Sequence, residues 1–200
     1  MSPPTTLRSW RFRLPIPPAG WLELDLDPAT RAASIDTAFA RAAADDPRVA
    51  AHHEDFNRVL DRLAADAARR GSIAAYTQWR PGSGEPPRSS LSVSTVAEDG
   101  DLAALRASLA TPRVTDLSPR AVETVRLPAG VSIRARVYAV GGRSADHGNV
   151  VVDAVQYWIP MPGTGLVFVL ASTTTGIDDG NAVAALVDAM ADALLIDVDR

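Results

Sequence analysis

The 200-residue chain contains no cysteine, and it contains no lysine either, so all 20 of its basic residues are arginine. Without cysteine there is no disulfide, no thiolate nucleophile, no Cys-ligated zinc and no lipid-anchored Cys. Without lysine there is no Schiff-base or P-loop amine. Long apolar runs are missing as well: stretches such as Gly165 to Ala171 fall far short of the roughly 18 residues a membrane span needs. Positive charge is in deficit, with a net charge of -4 and a pI near 5.3, opposite in sign to the footprint of a nucleic-acid binder. The segment from Met1 to Pro18 carries Arg8, Arg11 and Arg13 but lacks the apolar core of a signal peptide. The resulting expectation is a cytoplasmic protein that contacts neither membrane nor nucleic acid.

What is present is ordinary globular material. Hydrophobic residues make up 46% and charged residues 22%, enough for one domain over residues 1–200 to fold without disulfides or metal. Trp10, Phe12 and Leu14 alternate with arginines and predict a strand. After Pro17 to Gly20 the run Trp21 to Leu26 predicts a second strand with Leu22, Leu24 and Leu26 inward and Trp21 outward, closing a hairpin or turning toward helices. Asp27-Pro28 opens a helix carrying Ala32, Ile35, Phe39 and Ala42, and Asp45-Asp46-Pro47 breaks it. A second helix follows to Arg69-Arg70-Gly71, braced by Glu54 and Arg58, so that residues 27–71 form an inserted helical hairpin.

Residues 72–200 carry the main sheet and a C-terminal helix. Strands are expected over Ser72–Trp79 and Ser90–Val96, on either side of the loop Pro81–Pro87. After a short helix, Asp101–Leu109, comes a meander at Ala121–Leu127, Val131–Val140, Val150–Pro160 and Gly165–Ser172. A helix from about Asn181 to Leu195 closes the chain, its stripe formed by Val183, Leu186, Val187, Met190 and Leu194. Strands in runs rather than in strict alternation with helices indicate an α+β fold, a mainly antiparallel sheet flanked by helices.

Two segments carry a family likeness. Phe12-Arg13-Leu14-Pro15 through Pro18-Ala19-Gly20-Trp21 resembles the strand, turn and strand that open the Mog1/PsbP-like fold. Val155 to Pro160 and Pro162 to Leu170, followed by a Thr-rich turn and an amphipathic helix, resemble the way actinobacterial members of that group end. The likeness spans about the first 26 and the last 80 residues. It implies an α/β/α sandwich that serves as a binding or assembly platform, and it brings no shared catalytic residues. Some members are secreted lipoproteins; this chain lacks their lipidated cysteine.

The candidates for chemistry each meet a plainer explanation. His52-His53-Glu54-Asp55 is the densest cluster of ligand-type side chains, and His53 to Asn57 nearly spells a zinc-binding H-E-x-x-H, but Asn57 replaces the second imidazole and His147 is the only histidine outside the cluster. Ser72, Ser83, Ser89 and Ser90 lie in or beside loops and none sits in G-x-S-x-G. Asp178 and Asp179 after Thr173-Thr174-Thr175 fit a helix cap better than an anion loop. Glu23, Asp25 and Asp27 form a solvated edge. No cofactor is called for.

A basic stripe stands out more. In a hairpin turning at Pro128 to Gly130, Arg134 and Arg136 would join Arg126 on one face, opposite Ile133, Ala135 and Val137. Such a stripe would hold an acidic protein partner or pair with Glu123 and Asp153. Tyr157 and Trp158 point to opposite faces, and Trp158, if exposed beside the stripe, would serve as an interaction hot spot. Arg126, Arg134, Arg136 and Trp158 are therefore the expected partner-binding residues. The leading expectation is a non-enzymatic protein-binding or assembly module that holds a partner on a sheet face or on the hairpin; the alternatives are a small-ligand binder or enzyme of other chemistry, with the cavity between sheet and hairpin as its site, and an oligomeric structural protein.

Overall fold

The computed structural model describes residues 9–17, 20–79, 87–97, 101–144, 148–175 and 177–198. Arg8, most of the Pro81–Pro87 loop with Ser83, and His147 lie outside the described residues. The architecture is α+β, with a large antiparallel sheet flanked by helices. The strands are β1 (Trp10–Arg13), β2 (Trp21–Glu23), β3 (Ser72–Gln78), β4 (Ser89–Ala97), β5 (Ala121–Leu127), β6 (Gly130–Ser144), β7 (Gly148–Met161), β8 (Leu166–Thr174) and β9 (Leu195–Val198). The helices are α1 (Arg31–Asp45), α2 (His53–Arg69), α3 (Leu102–Ala110) and α4 (Ile177–Asp192), with a 3-10 turn at Pro47–His52. No helix among the described residues is long and apolar enough to cross a membrane.

Seven strands pair in the order β2-β3-β4-β8-β7-β6-β5. Because side chains alternate along each strand, cross-strand partners share a face and the register sorts them into two sets. One face carries Leu91, Val93, Tyr157, Ile159, Phe168 and Leu170, against which α4 buries Val183, Val187 and Met190. The other is covered at one side by α2, through Phe56, Leu60 and Ala64 beside Ala75. Toward β5 and β6 it is covered by α3, through Leu105 and Leu109 on Ile133, Val167 and Val169. At roughly 25 cal/mol per Å² of apolar area removed from water, these clusters are the main source of stability.

Local signals set the helix ends. Asp101 caps α3 by accepting the Ala104 N–H at 2.7 Å. Asp46 accepts the Arg48 N–H at 3.1 Å where Pro47 breaks the helical hairpin. Gly71, at φ 74°, takes the left-handed turn that ends the second helix. The brace on α2 runs from Arg58 to Asp55 at 2.9 Å, three residues back rather than to Glu54.

Three features differ from the simplest reading of the sequence. Of the two courses open to the second strand the hairpin is not taken: β1 pairs with β9, and Trp10 and Phe12 pack their rings on Phe168 at 6.2 and 5.3 Å. β9 was not anticipated because Leu194 continues the stripe of α4, which masks the four-residue strand behind it. Trp21 does not point outward but is 8% exposed in the α4-side core, because its register partner Gln78 lies on that face.

Gly180 lies in the first turns of α4, where a Cβ would stand 2.5 Å from Asp153 Oδ2. That carboxylate is almost fully buried and gripped by Arg136, so it cannot swing aside cheaply. In most helices Gly→Ala stabilises by up to about 1 kcal/mol. Here Gly180→Ala is expected to destabilise by about 1–3 kcal/mol in urea unfolding, the reverse sign.

Between α3 and β5, Arg120 grips Asp116 at 2.6 and 2.8 Å with both side chains nearly buried. These bonds, aided by the Arg113 N–H and opposed by burial, hold the Asp116 carboxyl below its ordinary value of 3.8. A carboxyl whose folded pKa is depressed stabilises the fold above the unfolded pKa and loses that contribution as pH falls through the folded value. Arg120→Gln should therefore flatten the acid limb of the stability curve below about pH 4, measured by urea unfolding across pH.

Candidate functional site

The expected basic stripe is divided by the register of one turn. Leu127 pairs with Gly130, so the β5–β6 loop holds only Pro128 and Ala129, and Arg126 falls opposite Val131. A turn one residue longer would have set Arg126 opposite Ser132 and beside Arg134. The one-residue difference moves its side chain to the α3 face, where it is exposed. Arg134 and Arg136 do share a face, and α4 closes over both.

Arg134 donates to Asp188 at 2.9 and 3.1 Å and to Glu123 at 2.9 Å, and the Tyr157 hydroxyl donates to the same Asp188 at 2.7 Å. Arg136 donates to Asp153 at 3.0 and 2.5 Å and to Asn181 at 2.8 Å, its guanidinium lying near the Tyr138 ring. The pairings with Glu123 and Asp153 are those the sequence offered as the alternative to a partner. Burial alone pulls the Arg134 guanidinium down, but Asp188 reverses this and holds it above the usual arginine value. Burial and then the Asp188 bond push the Tyr157 phenol well up. A guanidinium and a phenol both moved away from neutrality do not exchange protons at pH 7, so this network acts as a clamp.

Trp158 lies on the opposite face from Tyr157, as expected, half-buried against the α3 cluster with its Nε1–H on Gln156 at 3.2 Å. His53 packs its ring at a tilt against Phe39 and faces Asn57 at 3.1 Å. Among the described residues no three ligand-type side chains gather as a metal site.

A different feature comes from the residues read as a solvated acidic edge. α1 packs on α2 and overhangs the free edge of β2, leaving a groove of about 650 Å³. Its floor is Trp21, Leu22 and Glu23; its wall is Ser34, Ala38 and Ala42 of α1, rimmed by Thr37, Arg41 and Asp45. Glu23 and Ser34 also line a second hollow of about 450 Å³ beside Asp25 and Asp27. Arg31 fixes the spacing: its buried guanidinium donates to the carbonyls of Asp25 and Leu26 at 3.1 and 2.8 Å and reaches Asp61 of α2 at 3.4 Å. The Thr30 hydroxyl and Asp27 N–H hold the Asp25 carboxyl below its usual value. Sequence reasoning found these carboxylates and expected a cavity between sheet and hairpin, but did not join the two, because the far wall is contributed by the helix that follows.

No family model matches the chain, and no curated protein matches it. Among solved structures it is similar to LpqN, described as involved in cell envelope biogenesis of Mycobacterium tuberculosis: 14% identity over 96% of this chain and 86% of that one, TM-score 0.49. It is also similar to PA94, a protein of unknown function from Pseudomonas aeruginosa: 16% identity over 54% of this chain and 72% of that one, TM-score 0.38. Likeness at this level says nothing about what this chain does.

The clamp and the outlying arginine should separate in stability measurements. Asp188→Ala, which removes the acceptor shared by Arg134 and Tyr157 and leaves Arg134 only Glu123, is expected to cost about 1–2 kcal/mol in urea unfolding. Arg126→Ala should change stability by no more than about 0.5 kcal/mol.

Proposed function

We propose that the chain is a non-enzymatic, cytoplasmic protein-binding or assembly module, in keeping with its resemblance to the Mog1/PsbP-like group. The observation that carries the reading is the edge of β2, unpaired among the described residues and facing an open groove. Edge strands are usually blunted or covered, and one left beside a shaped recess is a ready template for another chain. Arg134 and Arg136 are engaged with α4, so the contact surface is assigned to the opposite end of the sheet.

A groove of about 650 Å³ also has the size of a small-molecule site, which favours a small-ligand binder as the second reading. Affinity purification of the tagged protein at moderate salt separates the two, with mass spectrometry identifying what stays bound. Retention of a stoichiometric protein is the expected result. A partnerless protein whose melting temperature rises with a small molecule would contradict it.

A further inference from the structure

The backbone register shows which groups β2 leaves open. The Trp79 N–H donates to the Gly20 carbonyl at 2.9 Å and the Leu24 N–H to the Ala75 carbonyl at 2.8 Å. In an antiparallel ladder such bonds fall on alternate residues, so Gly20, Leu22 and Leu24 turn toward β3. Trp21 and Glu23 then turn their N–H and C=O groups away from it, into the groove. Among the described residues nothing bonds to these four groups. The open stretch ends at Asp25, whose carbonyl is taken by Arg31.

The walls suit an extended chain. Ser34, Ala38 and Ala42 recur every four residues on α1, so the side facing β2 is a row of small side chains that lets a backbone approach. The charge is one-sided. Glu23, Asp25, Asp27 and Asp45 line the two adjoining hollows against Arg41 as the only cation among the described lining residues. Glu23 and Asp45 make no ion pair among the described residues. The carbonyl end of α1, at Asp45, adds negative potential where the groove begins beside Trp79.

We infer that the groove between β2 and α1 takes an extended, arginine- or lysine-rich segment of a partner protein, added to the sheet as a strand on β2. The inference rests on the binding-module reading and names the partner's chemistry. Ladder bonds to Trp21 and Glu23 supply register, and basic side chains meet the carboxylates of Glu23 and Asp45. With two residues offering ladder groups, the docked stretch is about five residues long, roughly 17 Å of strand.

The test uses the whole protein and three end-blocked peptides: Arg-Val-Arg-Val-Arg, Glu-Val-Glu-Val-Glu, and the basic peptide N-methylated at alternate residues. Affinity is read by titration calorimetry and edge occupancy by amide hydrogen exchange in NMR spectra. The basic peptide is expected to bind at least about tenfold tighter than the acidic or the N-methylated one. It should slow exchange at both the Trp21 and Glu23 N–H. Glu23→Gln with Asp45→Asn, two exposed positions, should weaken it several-fold and lessen its salt dependence.

Equal affinity for the acidic peptide, binding that leaves both amides unprotected, or no binding of the basic peptide at millimolar concentration would each overturn the inference. So would protection of these amides that grows with protein concentration alone, which would make the occupant a second copy of the chain. The two readings fail separately. A purified partner whose binding ignores the Glu23→Gln, Asp45→Asn variant overturns the groove assignment and leaves the binding module standing.

Discussion

The placement of α4 on the sheet is the constraint from which the other surfaces follow. Its apolar stripe must cover Phe168, Leu170 and Ile159, yet the adjoining strand β6 presents two guanidiniums on the same face. Burying Arg134 unpaired would cost several kcal/mol, so α4 settles where Asp188 meets it and Asn181 meets Arg136. Hydrophobic area alone would allow the helix to slide; the ion pairs and the close approach of Gly180 to Asp153 leave one position. With that face closed, α2 and α3 share the other, and the lateral edges of the sheet remain for contacts.

The fold was legible wherever one physical period dominated. Strands β3 to β8 alternate small or polar side chains with apolar ones, and the helices carry 3.6-residue stripes bounded by Asp, Pro or Gly. Failures came where two signals overlapped. Leu194 belongs both to the helix stripe and to the approach to β9, so the strand disappeared into the helix. β1 and β2 are neighbours in sequence with a turn between them, which favours a hairpin locally, but the aromatic contacts of Trp10 and Phe12 with Phe168 carry β1 to the far end of the chain.

The site was less legible because it depends on parity and on tertiary distance. Pro128-Ala129-Gly130 marks a turn without saying whether two or three residues occupy it, and that one-residue difference decides which face receives Arg126. The carboxylates Glu23, Asp25 and Asp27 were visible as an acidic edge. Their meaning changes only when Arg31 ties the start of α1 to the end of β2 and sets a helix beside the open strand. Arg31 is an ordinary helix residue in the sequence, and its burial among backbone carbonyls follows from the packing of α1 on α2.

The central claim is that β2 keeps one side unpaired and accessible. Native-state amide exchange of the free protein, followed residue by residue along β2, tests it most directly. The account predicts alternation, with the Leu22 and Leu24 amides protected and those of Trp21 and Glu23 exchanging near the rate of an open chain. Equal protection at all four positions in dilute protein would mean that the edge is already covered, and would contradict it.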